Sequence, residues 1–531
     1  MNKSINKKIR YNVFLPSFIL IIFTILFSIF DNNTFVEITT NAKNIMISQL
    51  GWLFSITGII CLISIITVYF SPLGQVRIGG ENATPLMKKS SCVFIILCTT
   101  IAAGILFWGT SEPLYHLSSP PVSLGIEPMS PQAAKYAMET MYLHWTFMPY
   151  AFYTVPAIVF AFAYYNMKRP FSIGSQISPL LKNKDQKKFD TFVDIVILFA
   201  ISFAIASSFA TSIMNVGGGL NELLNIPNNK ILWIIIAIIG TVAFIASSGS
   251  GLFKGIKVLS NINVYIYIII LLVLLLLGPS TYMLSSGTEA FGGFLTNLFD
   301  KALFTGSFAN DPWPKDWTIF YWSNWMAWAP VTAIFLARLC YGYTIKEVIV
   351  INFVLPSLFS TAWMTILSGI SINFQMNGVV DLVSIINEKG YGAATYAILE
   401  QFPLSSILIA IYIFAVFISF VTATDSTVNA MASISTNGIS DGEEEAPLSI
   451  KVLWGIVIGA ISIIFISSLG IDGIKMLSYL GGIPALFLGI LSVLSLFVII
   501  KSHKDLDKIN KVKNDKTDCE VAIDCTSSTD N

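Results

Sequence analysis

Three tryptophans stand close together between Phe320 and Pro330, in a stretch that reads FYWSNWMAWAP. On a helix turning about 100° per residue, Tyr321, Asn324, Trp325 and Trp328 follow the i, i+3, i+4, i+7 pattern and share one face. Three electron-rich rings and one amide on a single stripe can wrap a cation that offers no N–H to a hydrogen-bond acceptor. A quaternary ammonium is such a cation, and aromatic faces attract it electrostatically. Trp and Tyr also gather in belts at membrane interfaces. Belt residues mark helix ends, however, whereas Trp328 lies well inside the apolar span 317–340.

A stripe of this kind works only if other elements hold it away from lipid, and the composition supplies those elements. The 531 residues are 54% hydrophobic and 12% charged, against about 25% charged in soluble domains. Long apolar runs predict membrane helices at 13–30, 49–70, 91–109, 137–165, 191–216, 231–248, 262–284, 317–340, 347–373, 403–436, 450–470 and 475–500. The fold class is therefore an all-α polytopic membrane protein with twelve transmembrane helices. The span 403–436 is long enough to contain a break. The first span follows four basic residues without a small-residue cleavage site, so it is read as retained.

Basic residues set the orientation. With both termini cytoplasmic, 24 of the 31 Lys and Arg fall on the inner side, leaving 7 outside. The stretch 166–190 contributes Lys168, Arg169, Lys182, Lys184, Lys187 and Lys188, while Glu443, Glu444 and Glu445 form an acidic exception. This places the chain in the cytoplasmic membrane. Zero net charge gives no argument for a nucleic-acid partner. Cys61, Cys92, Cys98, Cys340, Cys519 and Cys525 suggest free thiols rather than a disulfide framework. His116, His144 and His503 are scattered without metal-ligand spacing, so neither a metal nor a cofactor is expected. There is no HExxH, no Walker-type glycine loop and no filter-like repeat, which argues against a membrane enzyme and a channel.

The predicted segments are a short N-tail (1–12), two prefix helices (13–90), a first five-helix repeat (91–284), an outer connecting segment (285–316), a second repeat (317–500) and a cytoplasmic tail (501–531). In the connecting segment, Phe291, Phe294, Leu295, Leu298 and Phe299 fit an amphipathic helix lying on the outer surface. The tail is polar and lacks aromatics, which predicts disorder beyond a first helical turn. Two spans read as interrupted: span three, ending FWGTSEPLYH, and span eight, with Pro330. They lie five spans apart, as broken helices do in carriers built from two inverted five-helix repeats.

Five motifs occur in order: Phe107-Trp-Gly-Thr-Ser-Glu-Pro113, the His144-Trp145 pair, Lys254-Gly-Ile-Lys-Val-Leu-Ser-Asn261, the span-eight tryptophans and Phe335-Leu-Ala-Arg338. Together they resemble the betaine/choline/carnitine transporter family over roughly residues 10–500. The resemblance implies a LeuT-like inverted-repeat fold preceded by two extra helices, usually as a homotrimer. It implies a secondary transporter of quaternary-ammonium compounds such as glycine betaine, carnitine or choline. The cation box it implies consists of Trp145, Tyr150 and Tyr153 on span four and Trp325 on span eight, with Trp328 one turn further toward the cytoplasm. Tyr150 replaces a more usual tryptophan, and Asn324 stands where another tryptophan is common. Asn324 is read either as a ligand for the substrate's non-cationic end or as a helix–helix hydrogen bond. Pro149 removes a backbone donor and would leave the Trp145 carbonyl without its helical partner.

Span three keeps only Gly104 of the glycine run seen in betaine carriers, nearer to the carnitine-type branch. For ion coupling, the resemblance aligns Ile201 and Ile205 with threonines that hold sodium in some members, and Thr422-Ala423 with a Thr-Ser pair. Asn263 aligns with an arginine found in sodium-independent exchangers. These departures favour sodium-independent exchange or uniport, with sodium or proton symport as the alternative. A carrier of amino acids on the same fold, or a channel, is the alternative of another class. Thr422 and Asp425 are the candidate ion-coupling residues. Asp425 is read as a proton carrier or, preferably, as a helix cap at the membrane edge, and Glu112 as a loop or cap residue.

Overall fold

The structure is a computed structural model and describes residues 9–101, 104–181, 186–249, 255–437, 446–469 and 471–526. Ala102, Ala103, Lys182, Lys184, Lys254 and Glu443–Glu445 fall outside the described residues. Among the described residues there is no strand, only the isolated bridges Ile9–Thr436 and Arg77–Thr344. A chain this apolar meets its backbone hydrogen bonds within helices, because lipid offers none.

The helices are α1 (Tyr11–Phe30), α2 (Asn32–Phe70), α3 (Lys89–Ile101), α4 (Gly104–Ser118), α5 (Pro131–Trp145), α6 (Phe147–Ala161), α7 (Gln186–Leu224), α8 (Lys230–Gly249), α9 (Gly255–Leu277), α10 (Ser280–Thr296), α11 (Leu298–Leu303), α12 (Trp313–Asp316) and α13 (Thr318–Leu339). They continue with α14 (Ile345–Ile349), α15 (Leu355–Met376), α16 (Leu382–Lys389), α17 (Ala394–Leu399), α18 (Ser405–Ile434), α19 (Leu448–Leu469) and α20 (Ile471–Thr526). Among the described residues, ten helical segments are long and apolar enough to cross a membrane, and α3 with α4 makes eleven if the bent pair, whose halves differ by 54°, is one span. Helix α13 covers the eighth predicted span without being apolar enough to join that set. Its Trp, Tyr and Asn lower its hydropathy, but nearly every residue from Thr318 to Leu339 is buried by neighbouring helices. A helix covers most of each predicted span, but α9 ends at Leu277 where the sequence reading ran from 262 to 284.

Several boundaries move. The break expected in span eight is absent, since α13 runs unbroken through Pro330. It falls in span four instead, where Thr146 takes φ −114° and ψ −115° between α5 and α6. The reason is local: restarting the helix at Phe147 puts Pro149 in the first turn of α6, where a missing N–H costs little. The outer connecting helix begins at Ser280 and buries Met283, Gly287, Ala290 and Phe294 against α5 and α15. Span ten has no break; α18 is one helix of 30 residues. Helix α20 runs on to Thr526, into the polar tail. No Gly or Pro interrupts residues 501–526, so nothing in the chain stops the helix.

At the centre, α13 packs against α6 on one side and α20 on the other. The contact with α20 is close because Gly481 and Gly482 face it: a methyl on Gly482 would collide with the Ser323 backbone carbonyl. Ser323 also donates to the Ser478 carbonyl at 3.1 Å. Small residues and hydroxyl hydrogen bonds bring membrane helices together in this way. Gly482→Ala is therefore expected to force α13 and α20 apart, at a cost of about 1–3 kcal/mol. The measurement is the thermal stability of the detergent-solubilised protein, and an unchanged melting temperature would show that this contact is not tight.

Candidate functional site

The break at Thr146 decides the position of the central tryptophan. It frees the His144 carbonyl, which accepts the Trp325 indole N–H at 3.0 Å. Sequence reasoning placed the orphan carbonyl at Trp145; the structure uses the one before it. Trp325 is thereby fixed among the rings of span four. Its centroid lies 5.4 Å from Trp145 at an interplanar angle of 82°, 5.5 Å from Tyr153 at 68° and 6.3 Å from Tyr150 at 51°. Rings set this steeply form walls rather than a stack.

The walls border a narrow, partly open cavity of about 40 Å³. Of the residues singled out from the sequence, Trp145, Tyr153, Asn324, Trp325 and Trp328 line it. Tyr150 does not. It stands behind Trp325, with its hydroxyl 2.9 Å from the Ser360 hydroxyl on α15. The side-chain oxygen of Asn324 accepts from Ser478 at 3.0 Å, so the helix–helix bond is real and the amide N–H is what remains for the cavity. Trp108 and Phe320 complete the aromatic wall, and Thr99, Ser207 and Thr211 bring hydroxyls to it. Trp108 belongs to a motif visible in the sequence, but only the fold shows that it packs on Phe320 and Tyr321 of α13.

The two ion-coupling candidates lie elsewhere. Thr422 donates to the Ile418 carbonyl at 2.8 Å. It reaches the cavity only indirectly: Ser426 donates to its carbonyl at 2.9 Å and meets the wall residue Thr99 at 3.3 Å. Asp425 is not a cap, because α18 runs nine residues beyond it to Ile434. It is buried between α8 and α18, accepting from the Ser247 hydroxyl at 2.5 Å, from the Ser248 hydroxyl, and from Asn429 at 2.6 Å. Asn263 joins α9 to α18 through Ser419 at 3.0 Å, and Ile201 and Ile205 are fully buried.

A cluster unrecognised in the sequence sits directly behind the box. Glu112 lies inside α4, not in a loop, and is completely buried. Its Oε1 is 2.7 Å from His144 Nδ1 and 3.1 Å from His116 Nε2. Its Oε2 accepts from Trp145 Nε1 at 2.7 Å and from the Tyr321 hydroxyl at 2.5 Å. Glu112, His116 and His144 thus hold three groups that could ligate a metal within 4.8 Å of one another, although sequence spacing suggested none. In the structure they form a hydrogen-bonded network around one carboxylate. The available signal was Glu112 itself, since an ionisable residue beside an apolar span is a functional candidate by default.

Residues 12–505 match the model of the BCCT, betaine/carnitine/choline family transporter, nearly the whole chain. The chain belongs to that family. This family member is a membrane transporter, not an enzyme. It is 26% identical over 497 residues to the glycine betaine transporter OpuD of Bacillus subtilis, covering 92% of this chain and 94% of that one. It is also 26% identical over 488 residues to the ectoine/hydroxyectoine transporter of Virgibacillus pantothenticus, covering 91% and 94%. Glycine betaine transporter 1 of Vibrio parahaemolyticus is 28% identical over 436 residues, covering 81% and 82%.

Proposed function

We propose that this family member carries betaine-type zwitterions across the cytoplasmic membrane, with the methylated cationic head held by Trp145, Tyr153 and Trp325. The single observation that carries this is the meeting of those three rings, from two spans, at the wall of one central cavity. A desolvated cation–π contact contributes about 2 kcal/mol, so several offset much of the cost of stripping water from a diffuse onium group. A primary ammonium holds its water more tightly and wants oxygen ligands instead. Asn324 and the hydroxyls on the wall suit the substrate's polar end. The named activities of the glycine betaine and ectoine relatives agree with a small zwitterion.

Movement follows alternating access, one five-helix repeat rocking against the other around the central site. Both termini are cytoplasmic, and the working form is a homotrimer. Coupling is by sodium-independent exchange or uniport, because Ile201 and Ile205 carry no side-chain oxygen and α18 has no unwound turn beside Thr422. The hydroxyls of Ser207 and Thr211 at the cavity favour sodium symport as the second reading.

The test is uptake into proteoliposomes. Labelled glycine betaine, carnitine or choline is expected to enter saturably, and glycine, which lacks the methyl groups, is expected not to compete. Equal competition by glycine would remove the onium reading.

A further inference from the structure

Onium boxes face a conflict when the substrate is a zwitterion. A bare carboxylate on the wall would attract the cationic head and repel the anionic tail. Among the residues lining this cavity there is no Asp or Glu, yet Glu112 stands one ring away. We propose that Glu112 is a specificity-determining residue for onium binding, acting through the Trp145 and Tyr321 rings that it orients and polarises. The proposal rests on the substrate reading above.

Four donors converge on the Glu112 carboxylate. Trp145 Nε1 is donor only, and the Tyr321 hydroxyl donates to the same oxygen. The tautomers, assigned from the hydrogen bonds, make both histidines donors to the other oxygen. His144 Nε2 lies 3.1 Å from the Thr318 hydroxyl and can accept from it, leaving Nδ1–H for Glu112. His116 Nδ1 has no hydrogen-bond partner among the described residues, leaving Nε2–H for Glu112. The carboxylate charge of Glu112 is thus the common acceptor of all four donors.

That charge has one route to the substrate. Trp145 is both a wall of the cavity and a donor to Glu112, and Tyr321 packs on Trp145 at 5.3 Å and 67°. An N–H or O–H that donates to an anion leaves its ring richer in electrons, and a richer ring face attracts a cation more strongly. The anion is also nearer to a head held at Trp145 than to a tail pointing away from it. Its field therefore favours the head more than it opposes the tail. The hydrogen bonds fix the tilt of both rings, while the charge sets their attraction for a cation. A purely structural role would supply the first effect without the second.

The experiment separates them with two ligands of the same shape. Glycine betaine and 3,3-dimethylbutanoate differ in having N⁺ or a neutral carbon at the branched centre. Affinity for each is measured on the purified full chain in wild type and in Glu112→Gln. Gln keeps an acceptor for the ring donors and removes the charge, and His144 can switch tautomer to accept from its amide. The expected result is that glycine betaine weakens about ten-fold and the carbon isostere changes by less than about two-fold. Equal weakening of both ligands, or of neither, overturns the proposal. Should Glu112→Gln not fold, Tyr321→Phe decides: it severs one link while keeping the carboxylate, and is expected to lower the betaine-to-isostere preference about three-fold. An unchanged preference there overturns the proposal as well. Wild-type protein that does not bind betaine would instead remove the substrate reading on which this one stands.

Discussion

Trp325→Ala abolishes uptake of the transported onium compound while the protein stays folded in the membrane: this is the expected result with the largest effect. Trp325 is the ring that Trp145, Tyr150 and Tyr153 all touch, and its indole N–H is held by the His144 carbonyl. Removing it deletes one cation–π face of about 2 kcal/mol, or roughly 30-fold in affinity. It also removes the support against which the other rings are set, so the loss exceeds that figure. The lost volume adjoins an existing cavity that can take up water, which limits the cost to stability. Tyr150→Phe is the contrast. It keeps the ring behind Trp325 and loses the hydroxyl's contacts with Ser360 and Thr100, so uptake should stay within about two-fold. Uptake rates together with size-exclusion profiles check both variants, and near-normal transport by Trp325→Ala would remove the proposed site.

Much of this arrangement can be read from the chain, and the unreadable parts share a cause. Membrane helices announce themselves through apolar length, so most spans are visible in the hydropathy of the residues alone, whereas the less apolar α13 shows itself by its stripe. The stripe on α13 is visible because helical periodicity is local: Asn324, Trp325 and Trp328 need only their own sequence to share a face. Contacts between spans leave no such trace. The i, i+4 spacing of Glu112 and His116 is local, but nothing in the sequence reveals that the same carboxylate also gathers His144, Trp145 and Tyr321, because that meeting depends on how spans three, four and eight pack. Asp425 misleads for a related reason. A lone acid late in an apolar run looks like a helix end, whereas hydroxyls from α8 and the amide of Asn429 satisfy it within the bundle. Pro330 and Pro149 show the limit of single-residue rules. The first is carried inside a continuous helix, whereas the second lies three residues past a break at Thr146 and falls in the first turn of the helix that restarts there.

Replacing external sodium by potassium is expected to leave uptake within about two-fold, and loading the vesicles with unlabelled substrate to raise labelled uptake about ten-fold if the cycle is exchange. Sodium is a hard ion that takes oxygen ligands from side chains and from unwound backbone. At the positions that the family resemblance implies for sodium-binding threonines, Ile201 and Ile205 present buried hydrocarbon. Beside Thr422, α18 is continuously helical, so its carbonyls are committed to the helix, and Ala423 follows where a second hydroxyl would be needed. Without that ion, net accumulation must draw on another gradient, and a substrate already inside the vesicle supplies one. Equal initial rates in loaded and empty vesicles, still independent of sodium, would identify uniport. Collapse of uptake in potassium alone would instead mean that Ser207, Thr211 and their neighbours at the cavity hold a sodium ion after all, and the sodium-independent reading would fall.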